Sequence, residues 1–138
     1  MARDGAIILD WADGTYSFRL GWGELAQLQE ACDAGPYVIL DRLNSGAWKV
    51  GEIAATIRLG LIGGGREPVA ALKLVRAYVE ARPPAENLMV AQAVLGAGIY
   101  GAPDEDATAK KEAAASQPGS TISPMGRSDS LPSTEPAL

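Results

Sequence analysis

The sequence predicts an α+β domain, an N-terminal β-hairpin followed by a bundle of about five short helices, with a disordered C-terminal tail. Three observations predict it. The pair Asp13-Gly14 separates two alternating runs, apolar residues then recur at helical spacing between glycine and proline breaks, and all eight aromatic residues fall between Trp11 and Tyr100.

The hairpin comes first. Ile7-Ile8-Leu9-Asp10-Trp11 and Thr15-Tyr16-Ser17-Phe18-Arg19-Leu20 alternate in polarity on either side of Asp13-Gly14. An Asp-Gly pair suits a two-residue type I′ turn, which needs positive φ at both centres. A loop at Asp13-Gly14 would set Trp11 opposite Tyr16, Leu9 opposite Phe18 and Ile7 opposite Leu20. Those six residues then share one face, and Gly14→Val is expected to cost about 1–3 kcal/mol through strain at positive φ.

The helices follow in order. The first starts near Trp22, with Leu25, Leu28 and Ala31/Cys32 forming an apolar stripe. Ala34-Gly35-Pro36 ends it, glycine suiting a left-handed cap and proline the next helix start. A short helix over Pro36 to Leu43 presents Tyr37, Leu40 and Leu43, and Asn44-Ser45-Gly46 breaks it. The third helix, Val50 to Ile62, carries Ile53, Ile57 and Leu61 and stops at Gly63-Gly64-Gly65. The fourth runs from Pro68 to about Ala81 and ends before Pro83-Pro84, and the fifth covers Ala85 to Tyr100. One domain over residues 4–101 is expected. The tail 102–138 lacks aromatic residues and is too rich in Ser, Pro, Ala and acidic residues to offset its ordering entropy.

Charge and composition exclude several functions. The 138 residues carry 12 basic and 17 acidic side chains, for a formal net charge of −5. No basic footprint for nucleic acid stands out. A single cysteine, Cys32, precludes an internal disulfide and suits a reducing compartment. No stretch reaches the ~20 apolar residues of a membrane span, and no signal-peptide core opens the chain, so a cytoplasmic protein is expected.

The chemistry of catalysis is thin. With no histidine, neither a Ser-His-Asp nor a Cys-His arrangement can form, and one cysteine cannot build a paired-cysteine zinc site. The glycines at Gly60 and Gly63-Gly64-Gly65 follow a helix and precede Arg66-Glu67-Pro68, whereas a phosphate loop follows a strand and carries Lys-Ser/Thr. Asp104-Glu105-Asp106 lacks the spacing of a calcium loop. The expectation is a protein that is not an enzyme and holds no metal or cofactor. Trp48, alone in the segment between two helices, is the candidate partner contact, because aromatic residues are favoured at interface hot spots.

The run from Asp13 to Leu20, followed by Gly23-Glu24-Leu25-Ala26-Gln27-Leu28-Gln29-Glu30-Ala31, resembles the opening of a phage tail assembly chaperone family. That family occurs in the tail gene clusters of gene transfer agents and siphophage-like prophages. Leu43-Asn44-Ser45-Gly46-Ala47-Trp48-Lys49-Val50 and Ile57-Arg58-Leu59-Gly60-Leu61-Ile62-Gly63-Gly64-Gly65 resemble its middle signature. The similarity covers about residues 4–101 and departs at Gly21-Trp22, where a hydroxyl cap and an aliphatic residue are expected. It implies a non-enzymatic helper that keeps the tape-measure protein, or tail-tube subunits, soluble until the tube polymerises. Trp48, Gly63, Gly64 and Gly65 are then the candidate partner-binding residues, with no nucleic acid and no membrane among the partners.

Two other readings compete. One is a minor structural tail component or adaptor retained in the particle. The other is a small helix-turn-helix regulator built on Pro36 to Leu43 and Val50 to Ile62, which would place only Arg58, with Lys49 just before it, at DNA. Limited proteolysis is expected to remove the tail quickly and leave a stable fragment near residues 4–101. Loss of the whole fold on deleting residues 102–138 would refute that division.

Overall fold

The computed structural model describes residues 4–102, and the expectation of a disordered tail lies outside them. Within them the architecture is the predicted one, a two-stranded antiparallel hairpin followed by five α-helices. Strands β1 (Ala6–Trp11) and β2 (Gly14–Arg19) lead into α1 (Trp22–Cys32), α2 (Pro36–Ser45), α3 (Val50–Gly63), α4 (Pro68–Val75) and α5 (Leu88–Tyr100). The expected single fourth helix instead passes from α4 into a π turn, Arg76–Glu80, and a 3₁₀ turn, Pro84–Asn87, precedes α5.

The hairpin register differs from the expected one by two residues. Trp11 pairs with Gly14, Leu9 with Tyr16 and Ile7 with Phe18, so the loop is Ala12-Asp13. A slip of two keeps every side chain on its face, which is why the apolar face survives. Leaving glycine opposite Trp11 lets the indole sit edge-on to Tyr16 (5.5 Å) and Phe18 (5.8 Å). Positive φ therefore falls on Ala12 (56°), while Gly14 lies in the strand with no left-handed strain. The argument for a costly Gly14→Val fails for that reason.

Capping also departs from expectation in instructive ways. Asp33 (φ 52°), and not Gly35, takes the left-handed position after α1, and Gly35 serves as the extended N-cap of α2. Gly21 has no side chain to cap the first turn, and Glu24 supplies the other half of a capping box, its Oε1 accepting the Gly21 N–H at 3.0 Å. Glu52 does the same for α3, accepting the Lys49 N–H at 3.0 Å while its other oxygen accepts from Arg42. Glu52 is buried, so removing Arg42 would strand a charge away from water.

Helix α3 is the centre of the fold, packed against β2, α1, α4 and α5. Ile53, Ile57, Leu59 and Leu61 on α3 join Phe18, Leu20, Leu28, Leu43, Val75 and Leu95 in one buried cluster. At the end of α3 the glycines are required by proximity. A Cβ on Gly63 would lie 1.8 Å from Arg19 O, one on Gly64 2.0 Å from Ser17 O, and one on Gly60 2.7 Å from Val94 Cγ1.

A second tie crosses the fold at Trp11. Its Nε1 donates to Asn87 Oδ1 at 2.7 Å, and Asn87 Nδ2 donates to the Tyr78 carbonyl at 2.8 Å. One buried amide thus joins the hairpin, the π turn and the start of α5, leaving neither of its polar ends unpaired.

Two outcomes follow for stability. Gly63→Ala is expected to cost about 3 kcal/mol or more, because backbone must move, whereas Gly51→Ala in open space on the same helix should stabilise by about 0.5–1 kcal/mol. Ala12→Gly should raise stability by about 0.5–1 kcal/mol, since glycine carries no left-handed penalty. Chemical denaturation of the three variants checks both, and a stable Gly63→Ala protein would mean that β2 does not lie against α3.

Candidate functional site

The sequence-predicted site residues do not converge. Trp48 precedes α3 and is half-buried against the core, while Gly63, Gly64 and Gly65 lie at the other end of that helix. At 1.5 Å per residue, α3 separates them by roughly 20 Å. Gly63 and Gly64 are occupied by the approach of β2, so their lack of side chains serves packing. Gly65 (φ 111°) is exposed and shapes the turn after α3.

Besides Tyr37 on α2 (62% exposed), the aromatic residues that face solvent are Trp22 (89%) and Tyr100 (69%). Both line a depression of about 290 Å³, where the β2–α1 junction meets the end of α5, shared with Leu25, Gly98 and Ile99. Arg19 crosses it, donating from Nε to the Asp4 carbonyl at 3.0 Å, with Asp4 Oδ2 at 3.6 Å. That ion pair is largely solvated and contributes little by itself. The signal for both aromatics is present in the helical period. At 100° per residue Trp22 stands roughly 90° off the Leu25–Leu28–Cys32 stripe, and Tyr100 roughly 130° off the Leu88–Ala91–Leu95–Ile99 stripe.

A larger and more apolar cleft, about 430 Å³, opens between the start of α3 and the turns after α4. Val50, Ile53, Ala54, Val79 and Pro84 supply its apolar wall, and Glu80 and Arg82 its polar edge. Arg82 is held by Glu86 at 2.9 Å and lies over the Tyr78 ring. Val50 is exposed and follows Trp48 by two residues, which brings the cleft near the segment singled out from sequence.

Reactive groups are few among the described residues. Burial pushes the Cys32 thiol pKa up, with Glu52 adding to the rise against Arg42 and Lys49, so the nucleophilic thiolate is disfavoured. The Tyr16 hydroxyl is also raised, chiefly by donating to Asp13. Glu52 is committed to Arg42 and to the α3 cap, and no group of three or more His, Cys, Asp or Glu is placed to hold a metal ion among the described residues. No described helix is long and apolar enough to cross a membrane. The arrangement offers contact surface, apolar and aromatic, on a rigid frame.

The two tryptophans should behave differently on truncation. Trp48→Ala is expected to cost about 2 kcal/mol by uncovering core, and Trp22→Ala to stay within about 0.5 kcal/mol of the parent. Equal melting temperatures for the two would mean that Trp48 does not cover the core.

No curated protein and no solved structure matches the chain. A family model described as "Phage tail tube protein, GTA-gp10" matches residues 4–101, from just before β1 to just after α5, the span over which the fold is described. The chain belongs to this phage tail protein family.

Proposed function

We propose that this protein is a non-enzymatic tail assembly chaperone, acting in the host cytoplasm on a tape-measure or tail-tube protein before the tube polymerises. Membership of a phage tail family across residues 4–101 carries the reading. The surface supports it. Trp22 and Tyr100 present aromatic area at little conformational cost, and the cleft beside Val50 offers an apolar wall of the kind that shields a partner's apolar segment. The histidine-free sequence and the raised, half-buried Cys32 fit a role without catalysis.

A second reading has its own support, because the matched family is described as a tail tube protein. On that reading the chain is a structural tail component that stays in the particle. The helix-turn-helix reading is disfavoured, since the helix cast as the recognition helix is α3, which is packed on β2, α1, α4 and α5. A recognition helix needs a free face to enter the major groove.

Co-expression with the tape-measure gene of the same cluster separates these outcomes. A chaperone should raise the soluble yield of the tape measure, bind it with micromolar affinity, about −8 kcal/mol, and be missing from purified particles by mass spectrometry. Stoichiometric recovery in particles would establish the structural component instead. A tape measure equally soluble alone, with no complex in pull-down or crosslinking, would end the chaperone reading.

A further inference from the structure

The outer edge of β1 carries no further strand in the described fold. With Trp11 and Gly14 as the pair closing a two-residue loop, alternation makes Leu9–Tyr16 and Ile7–Phe18 the hydrogen-bonded pairs. Ala6, Ile8 and Asp10 therefore direct their N–H and C=O groups away from β2. Two observations agree with this phase. The Ser17 and Arg19 carbonyls, opposite Ile8 and Ala6, point away from β1 and face Gly64 and Gly63, and the Ala6 N–H is taken by Asp4 Oδ1 at 3.1 Å. The two edges thus differ. That of β2 is covered by α3, whereas Ile8 on β1 is 63% exposed, and no described group hydrogen-bonds its backbone or that of Asp10.

We infer that this edge pairs with the same edge of a second copy of the chain, antiparallel about a two-fold axis at Ile8, giving a four-stranded sheet across a dimer. Its own side chains select that partner and register. Outward-facing residues must pair with outward-facing ones, so only shifts of two are open. Centring on Ile8 sets Ile8 against Ile8 of the second copy, Ala6 against its Asp10, and, on the inner face, Ile7 against its Leu9. Ile7 and Leu9 are only partly buried in the single chain, and this register covers both. The neighbouring registers are worse. One sets Asp10 against Asp4, another sets Ile8 against Asp10, and a third sets Asp10 against Asp10, so each puts like charges or an apolar residue and a charge across the junction. Each outward pair exchanges two main-chain hydrogen bonds, and Asp4, itself exposed, gives up its single bond to Ala6. This inference is independent of which tail protein is bound.

The full-length chain in a Cys32→Ser background tests it by sedimentation and by oxidative crosslinking. A reversible dimer is expected, half-formed on the order of 10–100 µM, as suits a small interface. Ile8→Cys should crosslink across the axis, where an opposed pair has its Cα atoms ~5.5 Å apart, within disulfide reach. Ser17→Cys, on the same exposed face but one strand further out, should not. Ile8→Lys, also on the exposed face, should leave the melting curve unchanged while shifting dimerisation at least tenfold to higher concentration. A chain that stays monomeric into the millimolar range overturns the inference. So does a dimer that Ile8→Lys leaves intact, or one that Ser17→Cys traps as readily as Ile8→Cys.

Discussion

The fold depends on the approach of two backbones, the end of α3 against strand β2. Gly60, Gly63 and Gly64 lie along one side of the helix, and Phe18, Ser17 and Arg19, with Val94 of α5 beside Gly60, fill the space that side chains would take. This contact does three things together. It covers the outer edge of β2, seats Phe18 in the core, and fixes α3 so that its remaining faces receive α1, α4 and α5. A hairpin alone is marginal in water, and so is an isolated helix of this length. Each is stabilised by the other.

Polar groups then decide how the remaining elements are held. Asn87 ties the Trp11 indole to the Tyr78 carbonyl, and Glu52 joins the start of α3 to Arg42 on α2. Gln92 adds a bond from α5 to the Leu43 carbonyl at 3.0 Å. The Trp11–Asn87 and Gln92–Leu43 links join residues far apart in sequence, and each of the four replaces water at a partly or fully buried site. Removing one partner leaves the other unpaired, which costs more than the bond's net contribution. A modest apolar core is thereby given a single arrangement.

Much of this was legible in the sequence, for physical reasons that can be named. Periods of 2 and 3.6 located both strands and all five helices, because burial imposes those periods on the apolar residues. Turn chemistry was less reliable. Asp13-Gly14 looked like the loop, but a shift of two keeps the same face buried, and the choice between registers falls to the packing of Trp11, which no local rule encodes. Gly35 looked like the cap of α1, yet Asp33 accepts the left-handed conformation and leaves Gly35 for α2. The π turn after Val75 has no sequence signal of its own, and Tyr78 within it reaches Asn87 only in three dimensions.

The structure places the residues singled out from sequence in different settings. Trp48 drew notice because it stands alone between helices, but isolation in sequence says nothing about exposure, and it packs on the core. Within the glycine run, Gly63 and Gly64 lie against β2 of the same chain, whereas Gly65 is exposed. Trp22 and Tyr100 instead stand off the stripes of their own helices, one beginning α1 and the other ending α5. Helix ends projecting from a fixed core can carry large aromatic side chains without disturbing the packing beneath. On the proposed chaperone reading, in which a partner is held and later released, that separation would be useful. Contact residues at the rim can be tuned for weak binding while the glycine-mediated junction of α3 and β2 stays unchanged.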